Sequence, residues 1–223
     1  MYEWTNDESR ELVYMKKPSG KQGKRSAEVA EKTRAEIIAS ATELFSVNGY
    51  DTTTLREIAA HSGIAHGTIR HHFGSKFEIW KAVADQVMLH YQIQLLPIVS
   101  QAAQSDDHLK SFQRVVRGFI KVSIEHPDFA RLLVREGTTN NERSAYFQQH
   151  FVHIHLAIEL LFDKARSESS NLKRYNNDSF FLALLSLTFF PLLMPNLAQS
   201  LPSVKDSDRF NREQFIFGVL FPD

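Results

Sequence analysis

From Thr33 onward the apolar residues Ile37, Ile38, Ala41, Leu44 and Phe45 recur at the spacing of one helical face. Asn48-Gly49 closes that helix, because glycine tolerates the left-handed conformation that ends many helices. Thr54-Leu55-Arg56-Glu57 then fits a capping box, in which a Thr hydroxyl and a Glu carboxylate satisfy each other's backbone donors. A second helix starts there and is short, since Ser62-Gly63 supplies a tight turn within two turns of it. A third short helix spans His66 to Phe73, and Gly74 ends it. Ser75-Lys76-Phe77-Glu78 reads as another capping box, opening a long helix with Phe77, Trp80, Val83, Ala84 and Val87 on one face. Beyond Pro97 the pattern predicts helices over 109–125, 127–135, 145–165, 179–193 and 211–220, separated by polar or Pro-bearing loops. No strand pattern and no internal repeat is visible, so the fold class is all-α.

Composition refines this picture. The chain has 223 residues, 43% of them apolar and 17 of them Phe, with only 9 Gly and 7 Pro, which is material for one large or two smaller helical cores. Net charge is zero, which argues against a protein that coats nucleic acid by positive potential alone. The charge is unevenly spread: seven Lys/Arg meet two Glu between Lys16 and Arg34, a stretch that reads as a basic arm. With no Cys there is neither a disulfide framework nor a thiolate zinc site. No apolar leader follows the start, so export is not expected and a cytoplasmic location is. Phe180 to Met194 is strongly apolar but shorter than the roughly 18 residues of a membrane span, and Pro191 interrupts it.

Two short helices joined by a glycine turn form a helix-turn-helix, whose second helix enters the major groove of DNA. Spacing alone is weak evidence for it, but the residues are specific. Ile37-Ile38-Ala39-Ser40-Ala41, Leu44-Phe45, Gly49-Tyr50, Thr54-Leu55-Arg56-Glu57-Ile58-Ala59, Gly63-Ile64, Gly67-Thr68-Ile69, His72-Phe73 and Ser75-Lys76 together resemble the TetR family of transcriptional regulators. The resemblance covers about 60 residues; the remainder matches only in helical character and length. It implies a three-helix DNA-binding domain at 26–76, preceded by a flexible arm at 1–25 and followed by a helical ligand-sensing and dimerisation domain at 77–223.

A helix that approaches base edges closely needs small residues and short donors at its leading end, which Gly67 and Thr68 provide. Arg70 and His71 can donate to phosphates or bases, while Ile64, Ile69 and Phe73 anchor the opposite face. The resemblance implies DNA-contacting positions at Arg56, His66, Thr68, Arg70, His72 and Lys76. With the arm cations Lys24 and Arg25, and with Thr54, Gly67 and His71, these make the candidate DNA-binding set. Lys76, at a helix start, is expected to receive a phosphate, so that its removal lowers the salt dependence of binding by about one counterion. Two positions depart from the family pattern: Ala65 stands where a capping Ser is usual, and Arg70 where Tyr is usual. The first removes about 1 kcal/mol of capping, and the second adds a potential phosphate or guanine contact.

In the C-terminal part the resemblance implies a bundle whose last two helices pair with their symmetry mates. Phe180, Leu184, Leu187, Phe190, Phe215 and Val219 are the candidate interface of a homodimer. Phe112, Phe119, Phe147, Phe151 and Phe162 are the candidate pocket for a small-molecule effector. The predicted partners are therefore a double-stranded, two-fold operator, a second copy of the chain and an unidentified effector, with no cofactor, no metal and no membrane. His150, His153 and His155 are read as packing or surface histidines, since no Cys or paired carboxylate completes a metal site. Gly20-Lys21-Gln22-Gly23-Lys24 lacks the spacing and the preceding strand of a phosphate loop. A helical ligand-binding protein or enzyme with a vestigial head is the alternative, but no nucleophile elbow, zincin motif or convergent carboxylates support catalysis. A non-specific architectural DNA-binding protein needs more positive charge than this chain has.

Overall fold

Helix α1 (Gly20–Val47) begins well before the apolar stripe that predicts it. Residues 24–32, mostly Lys, Arg, Ala and Glu, are good helix formers and exposed, so the helix reaches back into residues 20–25 of the predicted arm without leaving a periodic signal. The computed structural model describes residues 20–201 and 211–222, and within them every side chain except those at positions 20–23, 150, 151, 153, 154 and 157. The remainder of the predicted arm, residues 1–19, lies outside the described residues.

Short helices α2 (Leu55–Ser62) and α3 (His66–Phe73) follow, and α4 (Lys76–Ala103) leads out of the head. Gly63, at φ +69°, makes the turn between α2 and α3 in a conformation that a side chain would strain. Ile37, Ala41, Phe45, Ile58, Ile69 and Phe73 converge as the head's core, and Arg34 lies 4.3 Å from the centre of the Phe73 ring. The predicted Thr54 capping box is present in full. That of Ser75 is half made: its hydroxyl accepts from Glu78 N, but the Glu78 carboxylate turns to Lys81 at 2.6 Å.

Helix α4 runs through Pro97 and ends at Ala103. Pro97 has no N–H to donate to the Ile93 carbonyl, and both residues are on an exposed side of the helix that water reaches. The body continues with α5 (His108–Glu125), α6 (Asp128–Gly137), α7 (Glu142–Glu168), a 3₁₀ turn (Leu172–Arg174), α8 (Asn177–Leu193), α9 (Pro195–Ser200) and α10 (Arg212–Leu220). There is no strand among the described residues, and no helix there is long and apolar enough to cross a membrane. Helices α4, α5, α7 and α8 surround an aromatic core, and α6 packs on α1, α4, α7 and α8. It thereby joins body to head.

Candidate nucleic-acid interface and effector cavity

The exposed side of α3 is built by what its other side buries. Ile69 and Phe73 turn inward, which leaves His66, Gly67, Arg70 and His71 exposed and Thr68 and His72 half-buried. Ala65 supplies no side-chain cap, yet the helix forms, with Ile69 N donating to the Ala65 carbonyl at 3.1 Å. Burial of the two apolar anchors offsets the missing cap. A Cβ built on Gly67 meets nothing within 4 Å, so no contact inside the chain requires glycine there.

Neighbouring candidates divide. Arg56 is exposed on α2 and makes no ion pair among the described residues. Lys24 and Arg25 are exposed on the projecting start of α1. Thr54 is exposed as well, but its hydroxyl is committed to the cap: it donates to Glu57 Oε2 at 2.8 Å and accepts from Glu57 N at 3.2 Å. The Thr54 backbone N–H, donating to Glu57 Oε2 at 2.7 Å, and then the Thr54 hydroxyl hold the Glu57 carboxyl below its usual range.

Lys76 departs most from expectation. Its ammonium donates to the carbonyls of Tyr50 and Thr53, each at 2.8 Å, and lies 4.2 Å from the centre of the Tyr50 ring. The half-buried cation is thus an internal clamp on the α1–α2 loop instead of a free phosphate ligand, and burial lowers its pKa. The sequence carries no sign of this, because the loop carbonyls come together only in the fold.

The same loop is fastened from the body. Arg135 Nη2 of α6 donates to the Val47 carbonyl at 2.6 Å. Arg143 of α7 donates through Nε to both Glu136 carboxylate oxygens, at 3.3 and 3.2 Å, pairs with Asp51 at 3.4 Å and lies 4.1 Å from the Tyr50 ring centre. Burial raises the pKa of Glu136, with Arg143 acting against it. Arg135, Glu136 and Arg143 carry no motif that marks them in the sequence.

Within the body a cavity of about 310 Å³ lies between α4, α5, α6, α7 and α8. Of the candidate pocket residues, Phe112 and Phe119 line it. Phe147 and Phe162 do not: each is buried behind the wall, Phe147 with its ring 5.7 Å from that of Phe129 and Phe162 at 5.6 Å from that of Phe112. Phe151 falls outside the described side chains. The sequence reading missed Tyr91, Gln92, Phe129, Asn177 and Phe181, which also line it beside aliphatic side chains such as Leu95, Val115 and Val116.

The candidate dimer residues also divide. Phe180 and Leu184, each 2% exposed, line the cavity of their own chain and so are removed from the interface set. Leu187 is half-buried, whereas Phe190, Phe215 and Val219 are 54%, 51% and 41% exposed. Leu182 on the outer side of α8 is exposed too. Helix α8 is apolar all round, so periodicity does not reveal which of its faces looks inward. Among the histidines, His155 Nε2 meets Asp178 Oδ1 at 2.9 Å and the Asn177 carboxamide at 3.2 Å, while the side chains of His150 and His153 lie outside those described. Among the described residues no three His, Cys, Asp or Glu side chains gather in a way that could hold a metal ion.

Comparison with known proteins agrees with this architecture. Residues 37–83 match the family model described as "Bacterial regulatory proteins, tetR family". The chain is 37% identical over 86 residues to a probable HTH-type transcriptional regulator ArpR of Pseudomonas putida, covering 39% of each. It is 40% identical over 57 residues to the HTH-type transcriptional repressor Rv3405c of Mycobacterium tuberculosis, covering 26% of this chain and 30% of that one. The matched stretches thus span between 30% and 39% of those relatives' length. Among solved structures, a variant of HlyIIR superposes with a TM-score of 0.68 at 16% identity, over 87% of this chain and 100% of that one. AibR, solved in complex with isovaleryl coenzyme A and operator DNA, superposes with a TM-score of 0.66 at 18% identity, over 85% and 98%. The helix-turn-helix head of this chain, over residues 37–83, is thus similar to the TetR family of bacterial regulatory proteins.

Proposed function

We propose that this chain is a DNA-binding transcriptional repressor of the TetR type, homodimeric, which leaves a two-fold operator when a small molecule enters its body. The observation that carries the reading is the outward side of α3, where His66, Gly67, Arg70 and His71 stand exposed over the buried anchors Ile69 and Phe73. That side suits major-groove contact, with Arg56, Thr68 and His72 flanking it and Lys24 and Arg25 within reach of adjacent phosphates. Residues 26–76 serve as the reading head and 77–223 as the sensing and pairing body. Phe190, Phe215, Val219 and Leu182 offer an apolar surface that a second copy covers. In this reading the protein works in the cytoplasm and catalyses no reaction.

Selection of duplexes from a random pool by the purified full-length protein tests the proposal. Recovery of an inverted repeat with half-sites about one helical turn apart, roughly 34 Å or a multiple, is the expected result. Enrichment of no symmetric motif overturns it.

A further inference from the structure

We infer that the cavity of the body takes a neutral aromatic molecule of about two rings with one hydrogen-bonding end, and that it rejects anions and acyl carriers. The inference rests on the proposed role of that cavity as the effector's seat. It comes from the shape and chemistry of the lining.

Six of the fifteen side chains that line it, Tyr91, Phe112, Phe119, Phe129, Phe180 and Phe181, are aromatic. They are mutually tilted: Tyr91 and Phe119 lie at 59°, Phe112 and Phe180 at 53°, with ring centres 6.2 and 5.2 Å apart. Walls of this kind offer both ring faces and ring edges, so a flat π-system of either orientation finds a complementary partner. A saturated body of equal size finds only dispersion.

Among the described residues no Lys, Arg, Asp, Glu or His lines the cavity. A carboxylate or phosphate entering it loses hydration and gains no ion pair, which disfavours it strongly. The polar groups present are the Tyr91 hydroxyl, which donates to the His126 carbonyl at 3.3 Å, and the carboxamides of Gln92 and Asn177. Asn177 is steadied from behind by His155. A carboxamide both donates and accepts, which matches a hydroxyl, a carbonyl or an amide on the guest. Size narrows the class further. An apolar cavity of roughly 150 Å³ accommodates one benzene ring, and this one, at about 310 Å³, has room for two.

Isothermal titration of the full-length chain with 2-naphthol, decahydro-2-naphthol, naphthalene, 2-naphthoate and octanoyl coenzyme A tests the inference. One 2-naphthol per chain is expected, with decahydro-2-naphthol at least threefold weaker and 2-naphthoate at least tenfold weaker; the coenzyme A ester gives no heat. Asn177→Leu, at the start of α8, weakens 2-naphthol at least threefold and leaves naphthalene unchanged. Val116→Phe, which fills the cavity, abolishes binding of both; should that variant not fold, Asn177→Leu alone decides. Tighter binding of the carboxylate or the coenzyme A ester overturns the inference, as does failure of 2-naphthol to bind or an unaltered response in Asn177→Leu. Loss of operator selection with this affinity order intact sinks only the regulatory reading; the reverse order with operator binding intact sinks only the inference.

Discussion

Gly67→Ala separates what the fold needs from what DNA needs. Gly67 sits in the first turn of α3 without a positive φ, and an added Cβ meets nothing within 4 Å. Alanine is better than glycine inside a helix by about 0.5–1 kcal/mol, and no steric penalty opposes that gain here. For a chain of this size each kcal/mol moves the midpoint by roughly 2–4 °C, so Tm rises by about 1–4 °C. On the proposed function, the same methyl would stand between the helix and the base edges of DNA. Holding the helix away from even one good base contact removes about 1–3 kcal/mol, so affinity falls by about thirtyfold at the middle of that range. Scanning fluorimetry reads the first effect and fluorescence anisotropy on the selected operator reads the second. A raised Tm with unchanged operator affinity refutes the placement of Gly67 at the groove. A lowered Tm refutes the account of α3 itself.

Three further outcomes follow from the geometry. Lys76→Met removes two 2.8 Å charge-assisted bonds to the α1–α2 loop and lowers stability by about 2 kcal/mol, while the dependence of log affinity on log salt keeps its slope. A slope reduced by about 0.9 returns Lys76 to a phosphate. Glu136 has its pKa raised above 4.5, chiefly by burial, so its contribution is fully present below that value and is lost as pH rises through the elevated folded-state pKa. In Glu136→Gln this fall disappears from a urea-denaturation series against pH; its persistence assigns the dependence to another group. Phe190→Asp with Phe215→Asp charges two side chains that are half exposed in a single chain, so sedimentation shows a monomer with native helical circular dichroism. An intact dimer excludes them from the interface.

The head is legible in the sequence because its determinants are local. A capping Thr with its Glu at the third position, a glycine at φ +69° and two eight-residue helices around Ile58 and Ile69 act within a few residues of one another. The body is legible only as helices. Phe180 and Leu184 differ from Leu182 and Phe190 solely in which side of α8 carries them, and that helix has no polar side to orient it. Likewise Phe112 lines the cavity and Phe162 backs it by virtue of how α5 and α7 cross. The fastening of the head by Arg135, Arg143 and Lys76 was invisible for a related reason: main-chain carbonyls, which every residue has, are the partners of two of these three cations.

Helix α6 is ten residues, about 15 Å, long, with Phe129 in the cavity wall near one end and Arg135 hooked to the tail of α1 near the other. Helix α4 makes a parallel link, running from the head at Lys76 past Tyr91 at the same cavity. The head is therefore carried on two struts of unequal length that share one seat. A guest that displaced both struts equally would translate the head and leave its tilt unchanged; one lodged nearer to α6 than to α4 would turn it. On the proposed function, where a compound sits in the seat, and not merely how tightly, would set how far the two heads of a dimer splay.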